Sequence, residues 1–259
     1  MKRERAFELD LLRGIAVVMM MLHHFAFDLR FEFGLPLLAF IEKPWFIDWV
    51  RLPFVMVFLV VSGICGSFTR SNAKRGLRLL VVALLFTAAT SVYSVLSGDQ
   101  EFIFFNVLHL LAVGTLLYAT VEAIERRRSP NGAPTRGGDA FLVLFAAVVL
   151  WAQGATGSLG IPPSAWHLPF FWQSGAISVS MGDYMPMIPW LGFFLIGIVI
   201  GRTLYITRTS AFPRLQANTA VQRGTAPVRF VGRHALAFYV LHQPVLLGVL
   251  YLLHALGAF

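Results

Sequence analysis

Long apolar runs separated by short polar stretches organise this chain from end to end. A helix that crosses a bilayer needs about 20 mostly apolar residues. Seven runs meet that need, at roughly 11–29, 49–68, 77–96, 104–123, 141–156, 187–204 and 230–253, the fifth being the shortest. Breaker residues divide them: Ser-Gly-Asp-Gln-Glu at 97–101, Ser-Pro-Asn-Gly at 129–132, and Gly and Pro through 154–163. The pattern predicts an all-α integral membrane protein, a bundle of about seven transmembrane helices forming one domain over residues 1–259. No internal repeat interrupts it, and the one linker-like segment is 126–139.

Composition agrees with a lipid environment. Hydrophobic residues make up 57% of the 259 and charged residues 13%, against about 25% charged in soluble domains. A lone cysteine, Cys65, excludes an internal disulfide framework. The basic start resembles a signal peptide, but no small-residue cleavage site follows it and His23 and His24 interrupt the apolar stretch. It reads as a retained first span.

Charge distribution sets the orientation, because loops on the cytoplasmic side are enriched in Lys and Arg. With the N-terminus inside, one face collects Lys2, Arg3, Arg5 and Arg13, then Arg70, Lys74, Arg75 and Arg78, then Arg126, Arg127, Arg128 and Arg136. Arg202, Arg208, Arg214, Arg223, Arg229 and Arg233 complete it, 18 of the 21 basic residues. Arg30, Lys43 and Arg51 fall opposite. The expected topology is a cytoplasmic N-terminus and an extracytoplasmic C-terminus in the cell's inner membrane. The net charge of +8 therefore reports membrane topology, and no nucleic-acid partner is expected. Two outer segments, 30–48 and 157–186, are rich in proline and aromatics. They suit an interfacial aromatic belt or a lid over an outward-facing pocket.

Ionisable groups inside a bilayer are costly, so each one needs a reason. Arg13 and His24 are eleven residues apart and return to nearly the same helix face, roughly 16 Å apart along the axis. Asp28 follows His24 by four residues, close enough on the helix to orient an imidazole and make it more basic. His23 points about 100° away and reads as structural. Asn106 and His109 lie one turn apart near the outer end of the fourth run, and His242 and Gln243 lie at or beyond the middle of the seventh. His24, Asp28, His109 and His242 are thus expected to converge in the outer half of the membrane. Arg13, Arg78 and Arg233 sit at cytoplasmic helix ends, where they would suit phosphates or serve as headgroup anchors. No zinc-ligand spacing, Walker motif, nucleophile elbow or haem-attachment motif is present, and no metal is expected.

These residues also carry a family likeness. Glu-Leu-Asp-Leu-Leu-Arg-Gly-Ile-Ala at 8–16 runs into His-His-Phe-Ala-Phe-Asp at 23–28, and Phe-Leu-Val-Val-Ser-Gly follows at 58–63. Asn-Val-Leu-His-Leu-Leu-Ala-Val stands at 106–113 and Gly-Asp-Tyr-Met-Pro-Met-Ile-Pro-Trp-Leu-Gly at 182–192. Val-Gly-Arg-His-Ala-Leu-Ala-Phe-Tyr-Val-Leu-His-Gln-Pro-Val closes the series at 231–245. In order and extent the chain resembles the heparan-α-glucosaminide N-acetyltransferase-like membrane family, bacterial branch. The Arg13–His24 spacing is also similar to that of the wider transmembrane acyltransferase group. The resemblance implies acetyl-CoA (acyl-CoA) entering from the cytoplasm and a sugar or glycan acceptor whose amine or hydroxyl is acetylated outside, by a protein that forms homodimers. It places His24 at the general-base position with Asp28 beside it, Arg13, Arg78 and Arg233 near the nucleotide, and Asn106, His109, Asp183 and His242 along the chamber. The animal members carry their active histidine in the first luminal loop. Residues 30–48 contain none, which makes His24 the better candidate, with His23 beside it.

Two other classes use the same residues differently. A transporter or proton-coupled permease would use the histidines as a relay, but repeated halves and paired interrupted helices are not seen in the sequence. A structural or assembly-factor protein would use them only to pack helices.

Overall fold

The computed structural model describes residues 6–98, 101–129, 134–156, 164–172, 180–181 and 183–258. The apolar runs fold as helices α1 (Phe7–Phe31), α2 (Pro44–Ser67), α3 (Asn72–Ser97), α4 (Val107–Arg128), α5 (Arg136–Ala155) and α6 (Met187–Thr203). Three short helices, α7 (Pro213–Ala217), α8 (Thr219–Gly224) and α9 (Ala226–Arg233), lead into the last, α10 (Ala235–Ala255). Two two-residue strands, β1 (Glu101–Phe102) and β2 (Ser180–Met181), pair in parallel. The protein is therefore helical, as its pattern predicts.

Among the described residues, six helices are long and apolar enough to span a membrane: α1 to α5 and α10. The seventh apolar helix, α6, has 17 residues, about 26 Å at the usual rise against a hydrocarbon core of about 30 Å. The short member is thus α6, not α5, which starts at Arg136 and runs 20 residues. The last expected span also divides. Residues up to Arg233 belong to α9, His234 leaves helical geometry (φ −108°, ψ 25°), and α10 begins at Ala235. Lys2, Arg3 and Arg5 and much of 157–186 lie outside the described residues.

Helix ends follow local chemistry. Ser71 caps α3 by accepting from the Lys74 amide, and Thr135 caps α5 by accepting from the Gly138 amide at 3.0 Å. Gly98 closes α3 in the left-handed conformation (φ 79°). Large apolar side chains cover the outside of the spans: Leu96 is 82%, Trp151 74% and Leu252 61% exposed. Stripes of that kind match lipid and would be a liability in water.

The chain forms two compact units, 1–61 with 207–259, and 62–206. In the first, α1 packs on α9 and α10. Gly14 and Gly232 let α1 and α9 meet backbone to backbone: a Cβ on Gly14 would overlap the Val228 carbonyl, and one on Gly232 the Asp10 carbonyl. Glu8, at the N-terminal end of α1, accepts from the Ser210 hydroxyl and the Ala211 amide, both at 2.7 Å, and so ties down the start of the α7–α9 segment. In the second unit α3 packs on α4 and α5 on α6. Leu110, Leu142, Phe194, Leu195 and Ile198 form a core with no accessible surface.

Candidate active site

Within the first unit, α1 and α10 bring four polar side chains together. His24 and Asp28 are one turn apart on α1, and His242 and Gln243 are neighbours on α10. The rings of His24 and His242 meet edge to face, centroids 5.0 Å apart and planes at 87°. Gln243 Nε2 donates to both oxygens of Asp28, at 2.9 and 3.1 Å. Asp28 is 5% and His242 7% exposed. Asp28, expected beside His24 as its orienting carboxylate, is thus gripped from α10, and His24 faces a second imidazole. Gln243 lies outside the expected site; its place next to His242, four residues into the Tyr-x-x-His-Gln-Pro stretch, is the one signal for it.

Donor and acceptor chemistry fixes one tautomer. His242 Nδ1 lies 2.7 Å from the Tyr239 carbonyl, which can only accept, so Nδ1 carries hydrogen and the neutral ring presents a lone pair at Nε2. Pro244, inside α10, has no N–H to give the Val240 carbonyl, which loosens the backbone ladder at this turn. Gln243 is read the same way. Carboxylates only accept, so its Nε2 faces Asp28 and its Oε1 faces away. That Oε1 is buried and has no hydrogen-bond partner among the described residues. His24 is half-buried, and among the described residues no hydrogen bond fixes either of its nitrogens. His23 stacks on Phe46 at 6.0 Å and on Phe27 at 6.4 Å, the structural role its direction predicts.

Asn106 and His109 belong to the second unit and form a reciprocal cap at the start of α4. Asn106 Oδ1 accepts from the Leu108 and His109 amides, and His109 Nδ1 accepts from the Asn106 amide at 3.3 Å. On the other side of the ring, Thr87 gives its hydroxyl hydrogen to the Ile103 carbonyl at 2.7 Å, so it must accept from His109 Nε2 at 3.3 Å. Both nitrogens of His109 are thereby engaged. Asn106 keeps capacity: its Nδ2 is fully buried and has no hydrogen-bond partner among the described residues. Asp183 occupies a left-handed backbone position (φ 49°) two residues before Met185, whose amide bonds the Phe105 carbonyl at 3.0 Å. Next to it Tyr184 donates to the Leu168 carbonyl at 2.5 Å, and burial pushes its phenol up to about 12.

The arginines separate into distinct roles. Arg13, one turn beyond Asp10 on α1, is half-buried, and its Nη2 is buried without a hydrogen-bond partner among the described residues. Arg233 lies 3.7 Å from Asp10 and bonds the Arg229 carbonyl. Arg78 is exposed on α3 in the second unit. Arg202, expected among the cytoplasmic loop charges, is instead buried. It clamps Glu125 with two bonds of 2.7 and 3.0 Å and holds Asp139 at 2.7 Å.

Among the described residues no group of His, Cys, Asp and Glu could hold a metal ion. The fold and this cluster define a multi-pass helical membrane protein whose first and last apolar helices share a His–His and Asp–Gln ladder, with Asp28 and His242 buried. Its matched sequence reaches from residue 5 to residue 244. The chain belongs to the heparan-alpha-glucosaminide N-acetyltransferase catalytic family, and so to a family of membrane acetyltransferases. It matches no curated protein and no solved structure.

Proposed function

We propose that the protein transfers an acetyl group from cytoplasmic acetyl-CoA to an amine of a sugar or glycan acceptor presented on the extracytoplasmic side. Family membership supports the reaction class, and the Lys and Arg asymmetry supports a cytoplasmic N-terminus and an extracytoplasmic C-terminus. Arg13, whose buried Nη2 has no hydrogen-bond partner among the described residues, is suited to a phosphate or to the pantetheine arm. Arg233, in the same unit, is the secondary contact for the nucleotide.

The observation that carries the reading is the ladder between α1 and α10. A thioester is already a good electrophile, so the demanding step is to deprotonate the nucleophile while holding it in place. Gln243 Oε1 and His242 Nε2 are acceptors on adjacent residues, and a nucleophile serving both needs two hydrogens, which an amine has and a hydroxyl lacks. The amine nitrogen attacks the thioester carbonyl, the C–S bond breaks, and a histidine of the His24–His242 pair moves the proton from nitrogen to the departing sulfur. Asp28 keeps the Gln243 amide turned so that its oxygen faces the nucleophile.

The test is transfer of labelled acetyl from acetyl-CoA to amino sugars and their hydroxyl analogues by purified protein, beside thermal unfolding with and without acetyl-CoA. Acetyl-CoA at a hundred times its Kd should stabilise the fold by about 2.7 kcal/mol, amino sugars should be preferred, and His24→Ala/His242→Ala should abolish transfer. Undiminished transfer by the folded double variant would refute the assignment.

A further inference from the structure

Resting on the acetyltransferase reading above, we infer that His242, through its Nε2, is the general base, and that His24 is the positioning residue that supports it. A general base must offer a lone pair in a fixed direction. The His242 ring is held in that state by its own helix, since Nδ1 donates to the Tyr239 carbonyl at 2.7 Å and protonation can add only at Nε2. When Nε2 takes the proton, the new positive charge is shared along Nδ1–H toward the carbonyl, which strengthens that hydrogen bond. A neutral backbone dipole thus does the orienting that a carboxylate does in serine hydrolases.

His24 lacks this support. Among the described residues neither of its nitrogens is hydrogen-bonded, it is less buried, and its contacts are the rings of His242 and His23. Asp28, the carboxylate on its own helix face, is held by Gln243. His24 instead lies edge to face against His242 at 5.0 Å, where an aromatic ring limits the swing of the base and accommodates its imidazolium form. The proton path balances without an external acid: from the acceptor nitrogen to His242 Nε2, then to the thiolate sulfur as CoA leaves.

The two assignments separate in variants of the full-length protein. Phenylalanine at position 24 keeps a ring against His242 and removes both nitrogens; glutamine at position 242 keeps a donor for the Tyr239 carbonyl and removes the base. His242→Gln is expected to lower kcat by a hundredfold or more with the acetyl-CoA stabilisation intact, and His24→Phe to lower it about tenfold. His242→Ala, with space left at the ring position, is expected to regain transfer when imidazole is added. If His24→Phe is as inactive as His242→Gln, or if His242→Gln still turns over, the inference is overturned while the acetyltransferase reading stands. If wild-type protein neither transfers acetyl nor is stabilised by acetyl-CoA, both fall. Should His242→Gln fail to fold, imidazole rescue of His242→Ala decides the question: recovered transfer supports the inference and none overturns it.

Discussion

Replacing Arg202 by methionine should destabilise the second unit severely, and the structure sets the size of the loss. The Arg202 and Glu125 side chains are 2% and 8% exposed, and two charge-assisted hydrogen bonds of 2.7 and 3.0 Å join them. Deleting one partner of a buried pair typically costs about 3–5 kcal/mol, because the other charge is left stranded. Asp139, 31% exposed, can turn to solvent and adds little. Glu125 also keeps two bonds from Thr135, at 2.8 Å from its amide and 3.0 Å from its hydroxyl, which places the loss near the lower end, about 3 kcal/mol. At about 2–4 °C per kcal/mol for a chain of this size, the Tm should fall by about 6–12 °C. Glu125→Gln should cost a comparable amount, because an amide cannot accept from both Thr135 and Arg202 without turning its NH2 toward one of these donors. Arg202→Met/Glu125→Met should then recover at least about 1 kcal/mol over Arg202→Met, since no charge remains unpaired. Thermal unfolding in detergent, followed by helical circular dichroism, measures all three. If Arg202→Met lowers the Tm by less than about 2 °C, or the double variant is the least stable, the buried-pair reasoning fails.

Two further outcomes follow from other parts of the fold. Gly14→Val puts a branched side chain where the Val228 carbonyl lies, so α1 and α9 must separate; a loss of at least about 1–3 kcal/mol should appear as a lower Tm, and an unchanged Tm would disprove the close approach. Tyr184 supplies a pH signature: its folded-state phenol is raised from 10.0 to about 12, so its contribution is complete below pH 10 and is lost as pH climbs toward 12. Between those values the unfolded chain ionises first, and wild-type Tm should fall more steeply with pH than that of Tyr184→Phe. Parallel slopes would show that the phenol is not buried.

The sequence reading succeeded where energetic cost is visible in one dimension. Apolar runs announce the spans because each must satisfy its backbone internally within lipid. His24, Asp28 and His242 stood out because ionisable groups at that depth need a reason, and three of the four ladder members were marked in this way. Their pairing was not visible. Whether Asp28 meets His24 on its own helix or Gln243, 215 residues away, depends on the rotation of α10 about its axis and on the turn loosened at Pro244. The partner of Arg202 was hidden for a related reason. A terminal arginine looks like a topology anchor until Glu125, 77 residues earlier, turns out to be its partner. His109 was read as a chamber group, yet Asn-x-x-His before an apolar run has the spacing of a capping box, a local signal available from the sequence. The break at His234 does have a local mark, the Gly-Arg-His at 232–234 that interrupts the apolar run.

Hydrogen-bond capacity distinguishes His109 and Glu125, whose side-chain polar atoms are all engaged, from the ladder between α1 and α10. Burying a donor or acceptor unpaired costs about 1–3 kcal/mol, so a structural polar group should have its capacity used. His109 meets that standard at both nitrogens, and Glu125 at both oxygens. His24, Gln243 Oε1, Arg13 Nη2 and Asn106 Nδ2 do not, among the described residues. The first two lie in one ladder with a lone pair directed from His242 and a carboxylate that fixes the amide. A packing role would favour leucine at each of these positions. Retained capacity at this depth is the expected mark of a site that completes its hydrogen bonds with a substrate, and it is the ground on which acetyl transfer is proposed at the ladder between α1 and α10.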